Sequence, residues 1–522
     1  MASVRDATRD LLRSLGLTTV FGNPGSTELP FLSDFPSDFR YVLGLQESVA
    51  VGMADGYAQA TRAAAFVNLH SAAGVGHAMG AIFTAYRNHT PLVITAGQQA
   101  RAILPNDPFL FSADAAQLPK PYVKWSCEPA RAQDVPLAIA RGYYTAMQPP
   151  RGPALISVPV DDWPVECGQC PTRVVSTEMR AQQTLLNEVA VALDRSRRPA
   201  FVVGDAVDRD GAWDAVVQLA ERHSAAVWTA PMAGRRGFPE NHRLFAGFLP
   251  AIREKIVDAL RGHDLIVVLG AAAFTYHVEG SGPHGPDGAR VLQLIDDPTM
   301  AASSTASTSV LTSMREGISE LLARPAAAER ALPAARRAPP VAAPSTPMTT
   351  AYVMQTLACL RDAASIVVEE APSARPVIQD YLPITRSETF YTMCSGGLGY
   401  GLPAAIGIAL GKPHTKVIAL VGDGSAMYSI QALWNAIQLN LPITFLILRN
   451  RRYAAVYEFA PKLGFGTNDV IVGTDLPDLD FVLLAQGQGC DAARVANPDL
   501  LEAALRRALA SARPALLEIA VA

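Results

Sequence analysis

Short apolar runs alternate with longer segments of helical periodicity along the first third of the chain. The apolar runs are four or five residues long and rich in β-branched and aromatic residues, which is typical of buried strands. They lie at positions 18–21, 41–45, 65–69, 92–96 and 154–158. Strands that are apolar throughout, with helical crossovers between them, indicate a parallel sheet covered by helices on both faces.

The same alternation returns twice further along the chain. A second group of predicted strands lies at positions 201–203, 265–269 and 291–295, and a third at 365–368, 417–421, 443–448 and 516–519. Between these two groups the sequence RPAAAERALPAARRAPPVAAPST is rich in proline and alanine, which predicts an exposed linker. We therefore predict three doubly wound α/β domains, at residues 1–180, 181–325 and 347–522, with a linker at 326–346.

Composition agrees with three globular domains. The chain has 522 residues, and domains average about 150 residues. Apolar residues make up 49% and charged residues 18%, with a net charge of −4. This balance gives no electrostatic basis for binding nucleic acid or an acidic membrane surface, so a small-molecule substrate is expected. The sequence has neither a signal-peptide pattern nor a long apolar span, which predicts a cytoplasmic protein.

Six cysteines are scattered along the chain, which favours reduced thiols over a disulfide framework. Cys167 and Cys170 form a CxxC motif, which could be half of a zinc site or a redox pair. No second pair accompanies it, and Pro171 follows directly. We interpret the two residues as loop thiols.

The strongest local motif lies in KVIALVGDGSAMYSIQALWNAIQLNLPITFLILRN, which predicts a strand, a Gly-Asp-Gly turn, a helix and a second strand. Asp423 ends the first strand and Asn450 the second, 27 residues later. Ligands bind at this edge of a parallel sheet, and two oxygen ligands there suit Mg²⁺. Gly422 and Gly424 would let the backbone approach a diphosphate. The alternative is an ordinary tight turn, which does not account for the asparagine.

This motif resembles the signature of thiamine-diphosphate enzymes, GDG followed by a distant asparagine. The resemblance implies that Asp423, Asn450 and the backbone carbonyl of Arg452 bind Mg²⁺, and that Ser425 lies in the cofactor site. Family members often carry two consecutive asparagines, whereas Arg449 precedes Asn450 here. The same resemblance implies pyrimidine-binding, central and diphosphate-binding domains in that order.

A second glycine-rich segment, CSGGLG, resembles the loop that holds the aminopyrimidine of thiamine diphosphate. The resemblance implies that the carbonyl of Gly396 accepts a hydrogen bond from the pyrimidine amine. It also implies that Leu398 is the apolar residue that keeps the cofactor bent. A flexible turn would explain the glycines but not the leucine among them.

Glu47 follows a predicted strand and begins a helix, in a mostly apolar stretch. On the residues alone it could be a desolvated carboxylate or a glutamate that offsets the helix dipole. It stands where the family has its activating glutamate. In the family this glutamate meets the GDG aspartate across a subunit interface, which implies at least a homodimer, and usually a tetramer.

Three further polar residues follow predicted strands. They are Ser26 in FGNPGS, His70 in NLHSAAG and His277 in FTYH, and histidine suits proton transfer near neutral pH. A lone histidine such as His277 is more often an ordinary polar residue. However, these segments, LQES and GGLG occur in the order found in benzoylformate decarboxylases. The resemblance implies that Ser26 binds the substrate carboxylate, His70 donates a proton and His277 assists product release.

Five apolar residues match the substrate pocket of that family: Phe109, Leu110, Ala455, Val456 and Phe459. They imply an aromatic 2-keto acid substrate such as benzoylformate, although Ala371 and Pro372 replace small hydroxyl residues. Acetolactate synthases and flavin-bearing oxidases share the GDG motif, but the segments around His70 and His277 favour simple decarboxylation. A dinucleotide-dependent oxidoreductase is disfavoured because no GxGxxG follows a strand. A catalytically silent cofactor binder is disfavoured because the candidate catalytic residues are all present.

Overall fold

The structure is a computed structural model that describes residues 2–325, 329–466 and 469–522. Within these residues three large sheets each contain six strands, and every pairing inside them is parallel. The predicted fold class is thereby confirmed. The boundaries at 180, 325 and 346 stay predictions, and linker residues 326–328 lie outside the described part of the chain.

The first sheet has the strand order β3-β2-β4-β5-β7-β6, and a short antiparallel pair, β1 with β8, lies apart from it. The strands are β1 (Ala2–Ser3), β2 (Thr19–Gly22), β3 (Arg40–Leu43), β4 (Ala65–Leu69), β5 (Leu92–Gln98), β6 (Trp125–Cys127), β7 (Ala154–Pro159) and β8 (Glu166–Cys167). The helices are α1 (Val4–Ser14), α2 (Leu29–Leu32), α3 (Glu47–Thr61), α4 (Ser71–Arg87) and α5 (Val135–Met147).

The second sheet has the order β11-β10-β9-β12-β13-β14. Its strands are β9 (Pro199–Val203), β10 (Ala226–Thr229), β11 (Phe245–Phe248), β12 (Leu265–Leu269), β13 (Arg290–Ile295) and β14 (Thr308–Leu311). Its helices are α6 (Gln183–Arg195), α7 (Asp205–Arg209), α8 (Trp213–His223), α9 (Arg253–Ala259), α10 (Pro298–Ala302) and α11 (Met314–Leu322).

The third sheet has the order β16-β15-β17-β18-β20-β19. Its strands are β15 (Ile366–Glu370), β16 (Phe390–Thr392), β17 (Val417–Gly422), β18 (Ile443–Arg449), β19 (Asp491–Val495) and β20 (Ala515–Ala520). Its helices are α12 (Thr350–Leu360), α13 (Arg375–Tyr381), α14 (Gly401–Gly411), α15 (Asp423–Ala426), α16 (Ala432–Gln438), α17 (Ala454–Phe459), α18 (Phe481–Gln486) and α19 (Pro498–Ala510).

The first and third domains share one apolar core, in which Phe21 and Met53 belong to the same buried cluster as Ile406 and Phe445. Helices α3 and α14 form the centre of this contact. A Cβ at Gly407 would lie 1.9 Å from the carbonyl oxygen of Met53. Only glycine allows the two backbones to come this close.

The linker segment 329–346 contains neither helix nor strand, in keeping with its proline content. Polar contacts nevertheless hold it to both neighbouring domains. Arg330 donates to the carbonyl oxygens of Leu193 and Ser196 at 2.6 and 2.7 Å. Further along, Arg336 pairs with Asp380 at 2.5 Å. The linker therefore lies along the surface of the protein.

The CxxC cysteines are free thiols that pack against the apolar core of the first domain. Burial raises the pKa of both thiols, and Cys167 also raises that of Cys170. In the described residues no three side chains of His, Cys, Asp or Glu are grouped so that they could hold a metal ion. A helix long and apolar enough to cross a bilayer is likewise not found in the described part of the chain.

The close contact between α3 and α14 leads to a stability prediction. Gly407→Ala places a methyl group against the Met53 carbonyl, so we expect the free energy of unfolding to fall by about 3 kcal/mol or more. Thermal or denaturant unfolding would measure the change. Gly76→Ala is the matched control in helix α4, because a Cβ there meets no atom within 4 Å. Equal effects from the two substitutions would contradict this account of the packing.

Candidate active site

Three of the candidate catalytic residues follow neighbouring strands of the first sheet. Ser26 begins a short 3-10 turn after β2, Glu47 is the first residue of α3 after β3, and His70 directly follows β4. A Cβ at Gly74 would lie 3.3 Å from Glu47 Oε1 and 3.6 Å from His70 Cβ, which places these two side chains on either side of it. The sheet edge therefore brings together residues that are far apart in sequence, as predicted.

A buried carboxylate, which sequence analysis missed, holds the His70 ring. Glu28 Oε2 lies 2.9 Å from His70 Nδ1 and accepts the Gly25 backbone N–H at 2.7 Å, while Thr27 Oγ1 donates to Glu28 Oε1 at 2.6 Å. This network is satisfied when Nδ1 carries a proton, which leaves Nε2 free to face a substrate. A Cβ at Gly25 would lie 2.3 Å from Nδ1, so glycine is required there.

Glu47 is mostly buried, with 12% of its side chain exposed. Its Oε2 lies 3.2 Å from Nδ1 of His77, whose ring is 64% exposed. The carboxylate thus has one polar side-chain contact on the solvent side and a helix start beneath it. This environment is compatible with both sequence interpretations, the helix-dipole role and the activating role.

Asp423 directly follows the first strand of the GDG unit, as the first residue of α15, and is 3% exposed. Its Oδ1 accepts the Gly424 N–H at 2.8 Å and its Oδ2 the Arg451 N–H at 2.6 Å. Burial raises the pKa of this carboxyl group, and the backbone N–H groups of Arg451, Gly424 and Asn450 act in the opposite direction. A bound cation would also favour the ionised form.

The helix predicted directly after GDG is interrupted. The structure has a four-residue helix, α15, and then a turn before α16, so the prediction of one continuous helix is wrong. Gly424 is needed for a local reason, because a Cβ there would lie 2.4 Å from the ring of Tyr453. A Cβ at Gly422 would meet only ordinary contacts at 3.8 Å or more, so this residue leaves space towards the cavity.

The CSGGLG loop belongs to the third domain and is attached to the other two. The Cys394 N–H donates to Asn88 Oδ1 at 2.9 Å, and the Cys394 thiol donates to Asp205 Oδ2 at 3.1 Å. Ser395 Oγ lies 2.9 Å from Thr84 Oγ1. Gly396 has a φ of +74°, a conformation that favours glycine. The loop is therefore held at its start while its glycines shape the segment that follows.

One large cavity of about 1520 Å³ collects most of the remaining candidates. It lies where the carboxyl ends of the third sheet face the second domain. The predicted site residues that line it are Gly396, Leu398, Gly422, Asp423, Gly424, Ser425, Asn450, Arg452, His277, Ala455, Val456 and Phe459. Ser26, Glu47, His70, Phe109 and Leu110 are not among the described residues that line it. A single chain therefore contains two separate groups of candidates.

Part of the cavity wall is aromatic and apolar. The ring centroids of His277 and Phe459 lie 4.3 Å apart, and Ala455 and Val456 are on the same helix, α17. In the first domain Phe109 is 86% exposed and Leu110 37%, so the chain itself does not cover them. The predicted substrate-pocket residues are thus divided between the two groups in the same way as the polar ones.

The residues present fit a magnesium ion and thiamine diphosphate. Asp423, Asn450 and the Arg452 backbone offer oxygen donors at one end of the cavity, and Mg²⁺ commonly takes few protein ligands when phosphate oxygens supply the rest. Gly396 and Leu398 line the same cavity. Its volume is ample for a cofactor and a small substrate together.

Comparison with known families agrees with this fit. Three thiamine pyrophosphate enzyme domains match in order: the N-terminal TPP binding domain at residues 2–117, the central domain at 186–321 and the C-terminal TPP binding domain at 373–519. Together they span more than half of the chain. This protein belongs to the thiamine pyrophosphate enzyme family.

Three individual relatives are similar to this chain over nearly its whole length. The chain is 44% identical to benzoylformate decarboxylase from Pseudomonas aeruginosa, over 99% of each sequence. The crystal structure of benzoylformate decarboxylase from Polynucleobacter necessarius has a TM-score of 0.97 at 39% identity, covering 100% of this chain and 99% of that one. A thiamine diphosphate-dependent 4-hydroxybenzoylformate decarboxylase from Rhodococcus jostii RHA1 has a TM-score of 0.95 at 39% identity, with the same coverage. The predicted resemblance to the benzoylformate decarboxylases is confirmed.

The contact between Glu28 and His70 leads to a prediction about turnover. Glu28→Gln keeps the shape of the side chain but removes the charge that holds the Nδ1 proton. We therefore expect kcat to fall about 10-fold, as for the loss of a charge-assisted hydrogen bond. Steady-state kinetics would measure it, with Glu166→Gln, an exposed glutamate of the same domain, as the control. An unchanged kcat would show that Glu28 does not orient the ring.

Proposed function

We propose that this chain is a carbon–carbon lyase that uses thiamine diphosphate and Mg²⁺ to decarboxylate an aromatic 2-keto acid, with benzoylformate giving benzaldehyde and CO₂. The observation that carries the proposal is that one cavity is lined by the candidate Mg²⁺ ligands, by the CSGGLG loop and by the pair of His277 and Phe459. This combination suits a diphosphate cofactor and the aryl group of a substrate. The similarity to two decarboxylases of aryl 2-keto acids supports the same substrate class.

The cofactor would be held mainly by the third domain. Asp423, the Asn450 side chain and the Arg452 carbonyl would bind Mg²⁺, with Ser425 beside the diphosphate. The carbonyl of Gly396 would accept a hydrogen bond from the pyrimidine amine, and Leu398 would keep the cofactor bent. When bound, thiamine diphosphate supplies the carbon nucleophile and the electron sink that decarboxylation of a 2-keto acid requires.

The side chains of the protein would supply binding and proton transfer. Ser26 would bind the substrate carboxylate. With its Nδ1–H held by Glu28, His70 would donate a proton from Nε2 when both ring nitrogens are protonated. His277 would assist proton transfer during product release. Ser26 and His70 follow strands of the first sheet, so a sheet edge would position them, whereas His277 lies in an irregular segment that lines the cavity.

The aryl group would lie against apolar side chains. Ala455, Val456 and Phe459 line the cavity, and burial of a phenyl ring contributes about 2 kcal/mol. Phe109 and Leu110 would complete the pocket from a second subunit. Such a pocket favours benzoylformate over pyruvate, whose methyl group buries far less apolar area.

We further propose that two copies of the chain are needed for each site. Glu47, Ser26 and His70 form one group, and the cavity residues form the other. In a symmetric dimer each group would face its complement on the partner, so that Glu47 of one chain contacts the pyrimidine held by the other. Two such dimers would pair into a tetramer.

The first test compares benzoylformate and pyruvate as substrates. With added thiamine diphosphate and Mg²⁺ we expect benzaldehyde release about 10-fold more efficient than acetaldehyde release or better, because burial of a phenyl ring contributes about 1.4 kcal/mol more than burial of a methyl group. A coupled dehydrogenase assay measures both aldehydes, and EDTA should abolish turnover. Equal efficiency for the two substrates, or turnover without the cofactor, would contradict the proposal.

A second test asks whether the site is built from two chains. Glu47→Gln and Asp423→Asn should each inactivate the homo-oligomer. If both chains contribute to every site, each mixed dimer formed on co-expression has one intact site out of two. About half of the dimers are mixed when the chains pair at random, so about one quarter of wild-type activity should return.

The complementation needs a control and a clear negative result. Glu47→Gln mixed with His70→Ala is the matched control, because both changes lie in the same group and no mixed dimer regains a complete site. If Glu47→Gln with Asp423→Asn also stays inactive although mixed oligomers are isolated, the shared-site arrangement is wrong.

A further inference from the structure

Glu370 is a fully buried carboxylate that none of the roles above uses. It ends strand β15, whose neighbour β17 ends at Gly422. The strand order changes direction between these two strands, and such a switch point is where ligands bind in open α/β sheets. Glu370 therefore lies beneath the cavity, directly before Ala371, which lines it.

The two oxygens of Glu370 bind the end of the CSGGLG loop. Oε1 accepts the Gly399 N–H and Oε2 the Gly401 N–H, each at 2.5 Å. The carboxylate thus binds the backbone on both sides of Tyr400.

The loop is shaped to fit this carboxylate. Gly399 has a φ of +102°, which an L-residue rarely adopts, and Gly401 is the first residue of helix α14. A Cβ at Gly401 would lie 2.9 Å from Glu370 Cβ. The Tyr400 hydroxyl, in turn, accepts a hydrogen bond from Gln59 at 3.1 Å. Side chains on both sides therefore fix the position of the loop.

Keeping a carboxylate in this place is costly. Burial raises the pKa of Glu370 to about 8, with the two backbone N–H groups opposing the shift, Glu369 adding to it and Arg375 reducing it. An apolar side chain would avoid the desolvation cost but would leave two buried N–H groups without an acceptor. The contact with the loop accounts for the carboxylate.

We propose that Glu370 is a positioning residue for the cofactor. By holding the Gly399 and Gly401 amides, it fixes the loop that presents the Gly396 carbonyl and the Leu398 side chain to the pyrimidine ring. This inference rests on the proposed function, since it gives the loop its role there. Glu370 itself does not touch the reacting atoms.

The test uses Glu370→Gln, which keeps the shape but places an NH₂ group against one of the amides. Glu240→Gln is the control, because the Glu240 carboxylate is also buried and accepts a backbone N–H, that of Ile384 at 2.7 Å, away from the loop. Glu240 also pairs with Arg236 at 2.8 Å, so its substitution should cost at least as much stability. Two quantities are measured on the full-length protein: amide hydrogen exchange of the peptide covering 395–401, and the affinity of the cofactor-free protein for thiamine diphosphate with Mg²⁺, from quenching of tryptophan fluorescence.

We expect Glu370→Gln to speed exchange in the 395–401 peptide and to weaken cofactor affinity, each about 10-fold. Glu240→Gln should change neither, even if it lowers Tm. Glu370→Asp, which keeps the charge but draws it back by one methylene, is measured in the same way and replaces Glu370→Gln if that variant does not fold. Unchanged exchange and affinity in the folded variant would overturn the inference. A wild-type protein that does not bind the cofactor would instead overturn the proposed function.

Discussion

The contact between helices α3 and α14 is the constraint on which the rest of the structure depends. Both helices begin at the carboxyl edge of a sheet, one in the first domain and one in the third. Their backbones touch at Gly56 against Ala404 and at Gly407 against Met53, where a Cβ would lie 2.2 and 1.9 Å from a carbonyl oxygen. Because no side chain separates the two helices at these points, their main chains set the distance between the two sheets. Both groups of candidate site residues inherit their positions from this contact.

The second domain is joined to this pair by buried polar contacts. Arg235 donates to Asp208 at 3.0 Å and to the Gln59 carbonyl at 3.1 Å, and its guanidinium lies 4.6 Å from the centroid of the Tyr391 ring. One buried arginine thus contacts all three domains. Separating the buried pair of Arg235 and Asp208 would leave an uncompensated charge, so these contacts favour one arrangement of the three domains. Beside it, Asp205 binds the Cys394 thiol, which brings the second domain to the start of the CSGGLG loop.

The fold could be predicted from sequence where strands are buried on both faces. Predicted runs 65–69 and 265–269 coincide with β4 and β12, because continuous apolar sequence leaves little alternative. The run 41–45 was extended too far, since β3 ends at Leu43 and Leu45 is half-exposed. Five of the missed strands, β6, β11, β14, β16 and β19, lie at sheet edges. Four of them have partly exposed faces and so lack a continuous apolar pattern, whereas β16 is buried but only three residues long. Glu47, His70 and Asp423 could be found because each follows a strand or begins the helix after one, whereas His277 lies in an irregular segment well beyond β12. Glu28 and Glu370 bind only neighbouring groups, and sequence gives little sign of such contacts.

Glu28 and Glu370 have corresponding roles in the two halves of the site. Each lies at or just after the end of a strand beside a switch point, β2 in the first sheet and β15 in the third. Each is buried and binds a backbone N–H together with an element to which we assign a role in the reaction, the His70 ring in one case and the loop before α14 in the other. A residue at a sheet edge has a fixed backbone, but its side chain can still adopt several rotamers. A buried carboxylate that accepts hydrogen bonds from fixed donors holds the neighbouring group in one orientation. Its desolvation cost is offset only while those donors stay in place. The rigidity of the site therefore depends on these carboxylates as much as on the sheets.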